Sequence, residues 1–256
     1  MPPMDRPEHP PLEFPEVAPV ALEAEAPDAV SHSLAVLSTV YHYNHWIFLT
    51  FREHLGPAVL EIGAGVGNIT QFLLNLDRVV CLEPFGPYRR YLSERFARHS
   101  NVAVSPRRIE DCPNADVPAG AFDTVLCVNV LEHLADDVDS LRRMKALLKP
   151  GGRAVVFVPA LPCIFGAMDR AMGHLRRYTL RSLRRAIVRA GMRCERGRYM
   201  NLIGAAAWWW HGRVRGKSHI PASATRKFDH LVPVLSAVER LIPPVVGQSV
   251  YVVARA

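Results

Sequence analysis

The stretch Val59-Leu60-Glu61-Ile62-Gly63-Ala64-Gly65-Val66-Gly67-Asn68 governs how the rest of the chain is read. A short apolar run, Ala58 to Ile62, ends in three glycines at alternate positions. Such a run suits a buried strand. Glycine tolerates positive φ and has no side chain to hold a ligand away from the backbone. The expected order is strand, glycine turn, then a helix from about Asn68 to Leu76, which is the context a nucleoside-type site requires. The next strand, Arg78 to Leu82, leads into Glu83-Pro84, with Glu83 lying 16 residues beyond Gly67. A carboxylate at that strand end can accept from both ribose hydroxyls.

Outward from this turn, strand and helix patterns alternate. Further strands are expected at Asn101 to Ser105, Phe122 to Val128, Arg153 to Val158, Met192 to Met200 and Gln248 to Ala254. Helices are expected near Tyr88 to Arg98, Asp136 to Leu148, Leu180 to Ala190 and Phe228 to Leu241. The helix from Asp136 has acids at its start and basic residues at its end, in accord with its dipole. Lys149-Pro150-Gly151-Gly152 reads as its terminator and a turn. Alternation of this kind predicts a doubly wound, mostly parallel seven-stranded α/β sheet with helices on both faces. Residues 1–30 hold eight of the 21 prolines and read as a disordered tail. Residues 31–57 read as cover helices, and residues 160–245 as acceptor-side insertions within one domain spanning 31–256.

The motifs resemble those of class I S-adenosylmethionine methyltransferases, a Rossmann-like family. Glu61-Ile-Gly-Ala-Gly-Val-Gly-Asn resembles its first motif. The likeness continues in order through Glu83, Ile109-Glu-Asp-Cys112, Phe122-Asp-Thr-Val-Leu-Cys-Val-Asn129-Val-Leu-Glu-His133-Leu and Leu148-Lys-Pro-Gly-Gly152. A GxGxG turn favours S-adenosylmethionine over a dinucleotide, whose turn usually reads GxGxxG. The resemblance implies that Gly63, Gly65 and Gly67 admit the methionine and ribose parts, and that Glu83, beside Pro84, holds the ribose. Asp111 would accept from the adenine amino group, and Cys112 would offer its backbone N–H to the ring. Asn129 would face the methionyl part, Glu61 would organise the turn, and His133 would be structural or cofactor-side. Tyr43, Asn44 and Trp46 sit where an N-terminal helix covers the cofactor in many such enzymes, with ordinary packing as the alternative. The implied cofactor is S-adenosyl-L-methionine, leaving S-adenosyl-L-homocysteine. The group resembled is that of small-molecule and quinone-biosynthesis methyltransferases.

Acceptor groups are expected where the fifth strand ends, in Met168-Asp169-Arg170-Ala-Met-Gly-His174-Leu-Arg-Arg177-Tyr178. An imidazole is half-poised as a base near neutral pH, so His174 is the candidate proton acceptor, with Asp169 orienting it and Tyr178 assisting. Met168, Arg170, Arg177 and Trp208 are the candidate acceptor-binding residues. The alternative is a structural network in which Asp169 pairs with Arg177. Trp208, Trp209 and Trp210 cannot share one helix face. They read as an acceptor wall, a membrane-interface anchor, or core and dimer contacts.

Charge divides the chain. Residues 1–150 hold 13 Lys and Arg against 20 Asp and Glu, a net −7, and residues 151–256 hold 18 against 4, a net +14. A polarised chain suggests an anionic partner near the basic half, with solvated arginines as the plain alternative. Five scattered cysteines without CxxC spacing argue against disulfides and zinc and for a cytoplasmic setting. No run reaches the ~20 apolar residues of a membrane span, no secretory signal is read, and no metal is expected. The sequence Asn129-Val-Leu-Glu lacks the Pro-Pro-aromatic motif of amino-group DNA methyltransferases, which argues against a nucleic-acid acceptor. The reading is methylation of a small-molecule acceptor, O- or N-methylation favoured, by a monomer or homodimer. The alternatives are a lipid-linked or phosphorylated acceptor at a membrane surface, or a non-catalytic cofactor-binding subunit.

Overall fold

The computed structural model describes residues 38–210 and 222–256. The proline-rich tail and the segment from His211 to Lys217 lie outside the described residues.

Seven strands form one sheet: β1 (Ala58–Ile62), β2 (Arg78–Leu82), β3 (Val102–Ser105), β4 (Phe122–Val128), β5 (Leu148–Pro159), β6 (Arg193–Met200) and β7 (Ser249–Arg255). Their order is β3-β2-β1-β4-β5-β7-β6. All pairings among β1 to β5 are parallel, and β7 runs antiparallel to both neighbours. The order reverses between β1 and β4, which makes a crevice at the carboxyl ends of the strands, the place where open α/β sheets take ligands.

Period-two burial along the strands divides the core. Leu60, Val80, Val125, Cys127, Val156 and Val252 face one side, packed by α3 (Asp137–Leu147) and α5 (Leu180–Arg189). Val59, Val79, Leu126, Val155, Phe157 and Val253 face the other, packed by α1 (Tyr41–Leu49), α2 (Gly86–Arg95) and α7 (Ala222–Leu241). Between β5 and α5 lies the short α4 (Ala167–Ala171), and α6 (Leu202–Trp209) follows β6.

Two expectations change. No α-helix follows the glycine turn. Residues 68–76 form turns and a 3-10 turn, Thr70–Phe72. Asn, Ile and Thr at its start are poor helix formers, and Asn101 Nδ2 donates to the carbonyls of Leu74 and Leu76 at 3.0 and 2.7 Å, tying down its end. The Lys149-Pro-Gly-Gly152 stretch is the bulged beginning of β5 rather than a turn outside the sheet. Lys149 Nζ holds it there through both oxygens of Asp123, at 2.9 and 2.8 Å.

Long-range caps join the C-terminal helices to the rest. The Asp229 carboxylate of α7 accepts from the N–H groups of His42 and Tyr43, at 3.3 and 2.8 Å, satisfying the first turn of α1. Glu239 does the same for Asn201 and Leu202 at the start of α6, both at 2.9 Å.

Candidate active site

Gly63, Gly65 and Gly67 have φ of 65°, 57° and 84°, so the turn after β1 needs glycine three times. A Cβ at Gly63 would meet Val130 Cγ2 at 2.5 Å, and one at Gly67 would meet Phe96 Cε2 at 2.5 Å. The turn's amides are largely used. Gly63 and Ala64 donate to Leu82 O, and Gly67 donates to Ala64 O. Gly65 N donates to Glu83 Oε2 at 2.8 Å, and Phe85 N donates to Glu83 Oε1 at 2.9 Å. Glu83 is thereby fixed at the end of β2 with lone pairs still available on both oxygens. Burial raises its pKa, while the two backbone donors oppose that. Arg95 clamps the turn from α2, donating to Val66 O at 2.6 Å and to Gln71 Oε1 at 3.3 Å.

Glu61 is buried and accepts from Thr70 Oγ1 at 2.7 Å. Burial pushes its carboxyl up to about 7, with Glu83 adding to the effect. The bond ties β1 to the 3-10 turn Thr70–Phe72. Asn129 stands exposed just after β4 in the left-handed region, φ 53°, its N–H bonded to Phe157 O at 2.8 Å. Asp111 is exposed and takes Arg108 N at 3.1 Å on Oδ2, leaving Oδ1 for another donor. The expectation for Cys112 needs correction. Its N–H closes the 3-10 turn onto Ile109 O at 3.1 Å, so it is already engaged.

Tyr43 and Trp46 are placed by packing. Trp46 is buried in the core beneath α1, edge-on to Tyr43 at 6.4 Å. Tyr43 meets Phe228 at 6.3 Å, and its hydroxyl bonds Asn201 and Ser249.

After β5 the sequence pieces converge. Asp169 is fully buried. Its Oδ1 takes Arg177 Nε at 2.6 Å and lies 3.0 Å from His174 Nδ1, while Oδ2 takes Gly166 N at 2.9 Å. These donors hold its pKa below the ordinary carboxylate value against the opposing effect of burial. Arg177 also donates to Ala160 O at 2.8 Å, and its guanidinium lies over the Trp208 ring at 4.7 Å. Trp208 is half-buried, whereas Trp209 and Trp210 are exposed.

Tyr178, expected in this cluster, is not part of it. Neighbouring residues of an extended segment point to opposite sides. Arg177 turns toward Asp169, and Tyr178 turns toward α3, where its hydroxyl donates to Asp137 Oδ2 at 3.0 Å. There it lines a groove of about 260 Å³ with Arg176, Ser182, Arg185 and Arg189. Burial and Asp137 raise its pKa far above the usual value. Met168 is also turned inward, 1% exposed, while Arg170 is exposed and lies over the Phe165 ring at 5.5 Å.

The residue that sequence reading passed over is Glu132. It is wholly buried, and among the described residues neither carboxylate oxygen accepts a hydrogen bond. Desolvation drives its pKa up to about 8. His174 Nε2 lies 4.0 Å from its Oε1. His133 stacks edge-on to His174 at 4.9 Å and sets Nδ1 3.2 Å from Gly173 O. With Nδ1–H donated in that contact, Nε2 is the ring's acceptor, and the residue as a whole is exposed. Desolvation, with His174 beside it, holds His133 below the usual imidazole value. Glu132, His133 and His174 bring one donor atom each within 4.8 Å of one another. A carboxylate following the apolar pair Val130-Leu131, in Val130-Leu131-Glu132-His133-Leu134, was the available signal, because buried acids are rare unless paired.

Residues 60–154 match the family model described as a methyltransferase domain. These residues form a class I methyltransferase domain. The match begins in β1 and ends in β5, so it takes in the glycine turn, Glu83, Asp111, Asn129 and Glu132 and stops short of the Asp169 cluster. Among curated relatives, the ubiquinone biosynthesis O-methyltransferase of Xanthomonas euvesicatoria is 31% identical over 133 residues, covering 51% of this chain and 52% of that one. The enzyme of the same name from Pseudomonas aeruginosa strain LESB58 is 32% identical over 98 residues, 38% of this chain and 42% of that one. The chain thus spans about half, or less, of the length of the relatives it matches. Among solved structures, the 1,6-didemethyltoxoflavin-N1-methyltransferase of Burkholderia thailandensis superposes with TM-score 0.58 at 17% identity, over 96% of this chain and 93% of that one. That structure holds 1,6-didemethyltoxoflavin and S-adenosylhomocysteine. An S-adenosylmethionine-dependent methyltransferase from Mesorhizobium loti superposes with TM-score 0.58 at 15% identity, over 86% and 100%. At these identities the structures establish the methyltransferase domain's fold across nearly the whole chain.

Proposed function

We propose that the chain transfers a methyl group from S-adenosylmethionine to the oxygen or nitrogen of a small-molecule acceptor, leaving S-adenosylhomocysteine. The observation that carries this is the chemistry of the glycine turn. A dinucleotide needs free amides and a helix N-terminus for its pyrophosphate. Here Gly63, Ala64, Gly65 and Gly67 donate within the protein, and no α-helix follows. A turn whose donors are already used, with the Glu83 carboxylate beside it, fits a phosphate-free nucleoside with a positive centre. When bound, S-adenosylmethionine supplies an activated methyl on its sulfonium. Glu83 would hold the ribose hydroxyls, Oδ1 of Asp111 the adenine amino group, and Asn129 the methionyl part. The names of the curated relatives and of the toxoflavin enzyme support oxygen and nitrogen acceptors respectively.

For the acceptor's proton, the geometry favours His133 as the outward imidazole. His174, held by Asp169, stands behind it as a positioning residue, because only 9% of the His174 side chain is exposed. Trp208 would wall the acceptor, with the Arg177 guanidinium, its side chain 1% exposed, stacked behind the ring. The five unpaired cysteines suit a reducing, cytoplasmic setting.

The test is a purified chain incubated with S-adenosylmethionine and pools of hydroxylated and amino small molecules. S-adenosylhomocysteine release and a methyl mass gain are both followed. One pool yields both products. His133→Ala lowers kcat by about 100-fold, the range for losing a general base. His174→Ala retaining methyl transfer within about twofold would remove His174 from the proton path. Cofactor binding without turnover on any pool would favour a partner-subunit role.

A further inference from the structure

The C-terminal helices carry a surface that methyl transfer does not use. On α7, Phe228, Val232 and Leu235 pack inward. Leu231, Val234, Val238 and Leu241, spaced three or four apart, make a second stripe that is 58%, 65%, 51% and 83% exposed. Ile242 and Val245 continue it beyond the helix. Through the Glu239 cap, α6 joins this face and adds exposed Leu202 and Ile203. Trp209 and Trp210 are exposed at its other end.

The fully exposed charges along α7 are cationic. Residues 151–256 contain four acids, and each is engaged. Asp169 holds Arg177 and His174, Glu195 pairs with Arg153, Asp229 caps α1, and Glu239 caps α6. The exposed ionised groups of α7 are therefore Arg226, Lys227 and Arg240, none ion-paired among the described residues.

We infer that α6 and α7 form a docking face for the surface of an anionic lipid bilayer. An apolar stripe edged by cations, with tryptophans beside it, is the make-up of a helix lying in the headgroup region. Among the described residues no helix is long and apolar enough to cross a membrane, so α7 lies in the plane. A second copy of the chain would bring the same cations against these ones, whereas an anionic bilayer satisfies both the stripe and its rim.

The experiment is co-sedimentation of the full chain with vesicles of phosphatidylcholine alone, or with about 30% phosphatidylglycerol added to supply the surface charge. The chain pellets with the anionic vesicles at least about tenfold more than with the neutral ones, and high salt releases it. Val238→Asp and Leu241→Asp, separately, abolish pelleting, and both side chains are exposed, so melting temperature stays near wild type. Lys227→Glu weakens anionic-vesicle binding by about fivefold or more. Absence of pelleting with either vesicle overturns the proposal. So does binding that ignores Val238→Asp and Leu241→Asp, or a dimer in solution that Val238→Asp dissolves without any vesicle binding.

Discussion

The carboxyl ends of β1 and β2 and the segment after β5 lie on the same edge of one sheet, yet they are built in opposite ways. At β1 and β2 the site is made by backbone: three positive-φ glycines, a carboxylate held by two amides, and a strand order that opens a crevice. After β5 it is made by side chains that meet from distant positions: Asp169, His174, Arg177, Trp208, Glu132 and His133. Backbone conformation is written locally. Side-chain convergence is written only in the tertiary fold.

The comparison breaks most visibly at Asp169. Removing it leaves Arg177 buried without its counter-charge, and loss of one partner of a buried pair costs about 3–5 kcal/mol. Asp169→Ala should melt far below wild type in thermal denaturation. Asp169→Asn, which can still accept a hydrogen bond, should lose less. If both variants melt like wild type, the acceptor side does not rest on this pair.

Gly63→Ala tests the backbone-made half. Its φ of 65° and the approach of Val130 make any side chain strained, at a cost of about 2–3 kcal/mol. Cofactor affinity should fall with stability. An alanine variant with unchanged melting would show that the turn tolerates rearrangement.

Glu132 sharpens the comparison through pH. Its folded pKa of about 8 lies above the ordinary 4.5, so the folded chain keeps a proton that the unfolded chain releases. That stability is fully present below pH 4.5 and is lost as pH rises through about 8. Glu132→Gln should remove this loss and be more stable than wild type at alkaline pH by on the order of 2 kcal/mol. Glu61, raised to about 7, contributes a loss of the same sign that persists in the variant. Denaturant melts across pH measure the difference, and parallel curves for the two proteins would contradict the assignment.

Tyr178→Phe carries the smallest effect. It deletes one hydrogen bond to Asp137, about 1 kcal/mol, and should leave kcat within about twofold. A large kcat loss would return Tyr178 to the acceptor site.

The same contrast explains what could be read from the chain alone. Strands β1, β2 and β4 have the boundaries expected from their apolar runs, because buried parallel strands announce themselves by composition. Glu83 was readable because one glycine turn in front of it fixes its position. The helix expected at 68–76 failed because Asn101, from another part of the chain, ties its carbonyls. The Cys112 N–H closes a local 3-10 turn that the motif's likeness does not announce. Tyr178 follows Arg177 directly, and an extended backbone sends the two side chains to opposite sides. Asp229 and Glu239 cap helices far from them in sequence, and no local pattern announces that.

The central claim is that the turn after β1 and Glu83 hold S-adenosylmethionine and refuse a phosphate-bearing dinucleotide. Calorimetric titration of the full chain with S-adenosylmethionine, S-adenosylhomocysteine and NAD tests it most directly, with Glu83→Gln alongside. The account predicts saturable binding of the first two and none of NAD. It also predicts affinity at least about 10-fold weaker in Glu83→Gln, the loss expected for a charged hydrogen bond. NAD binding as tight as that of S-adenosylmethionine, or an unchanged affinity in Glu83→Gln, would contradict it.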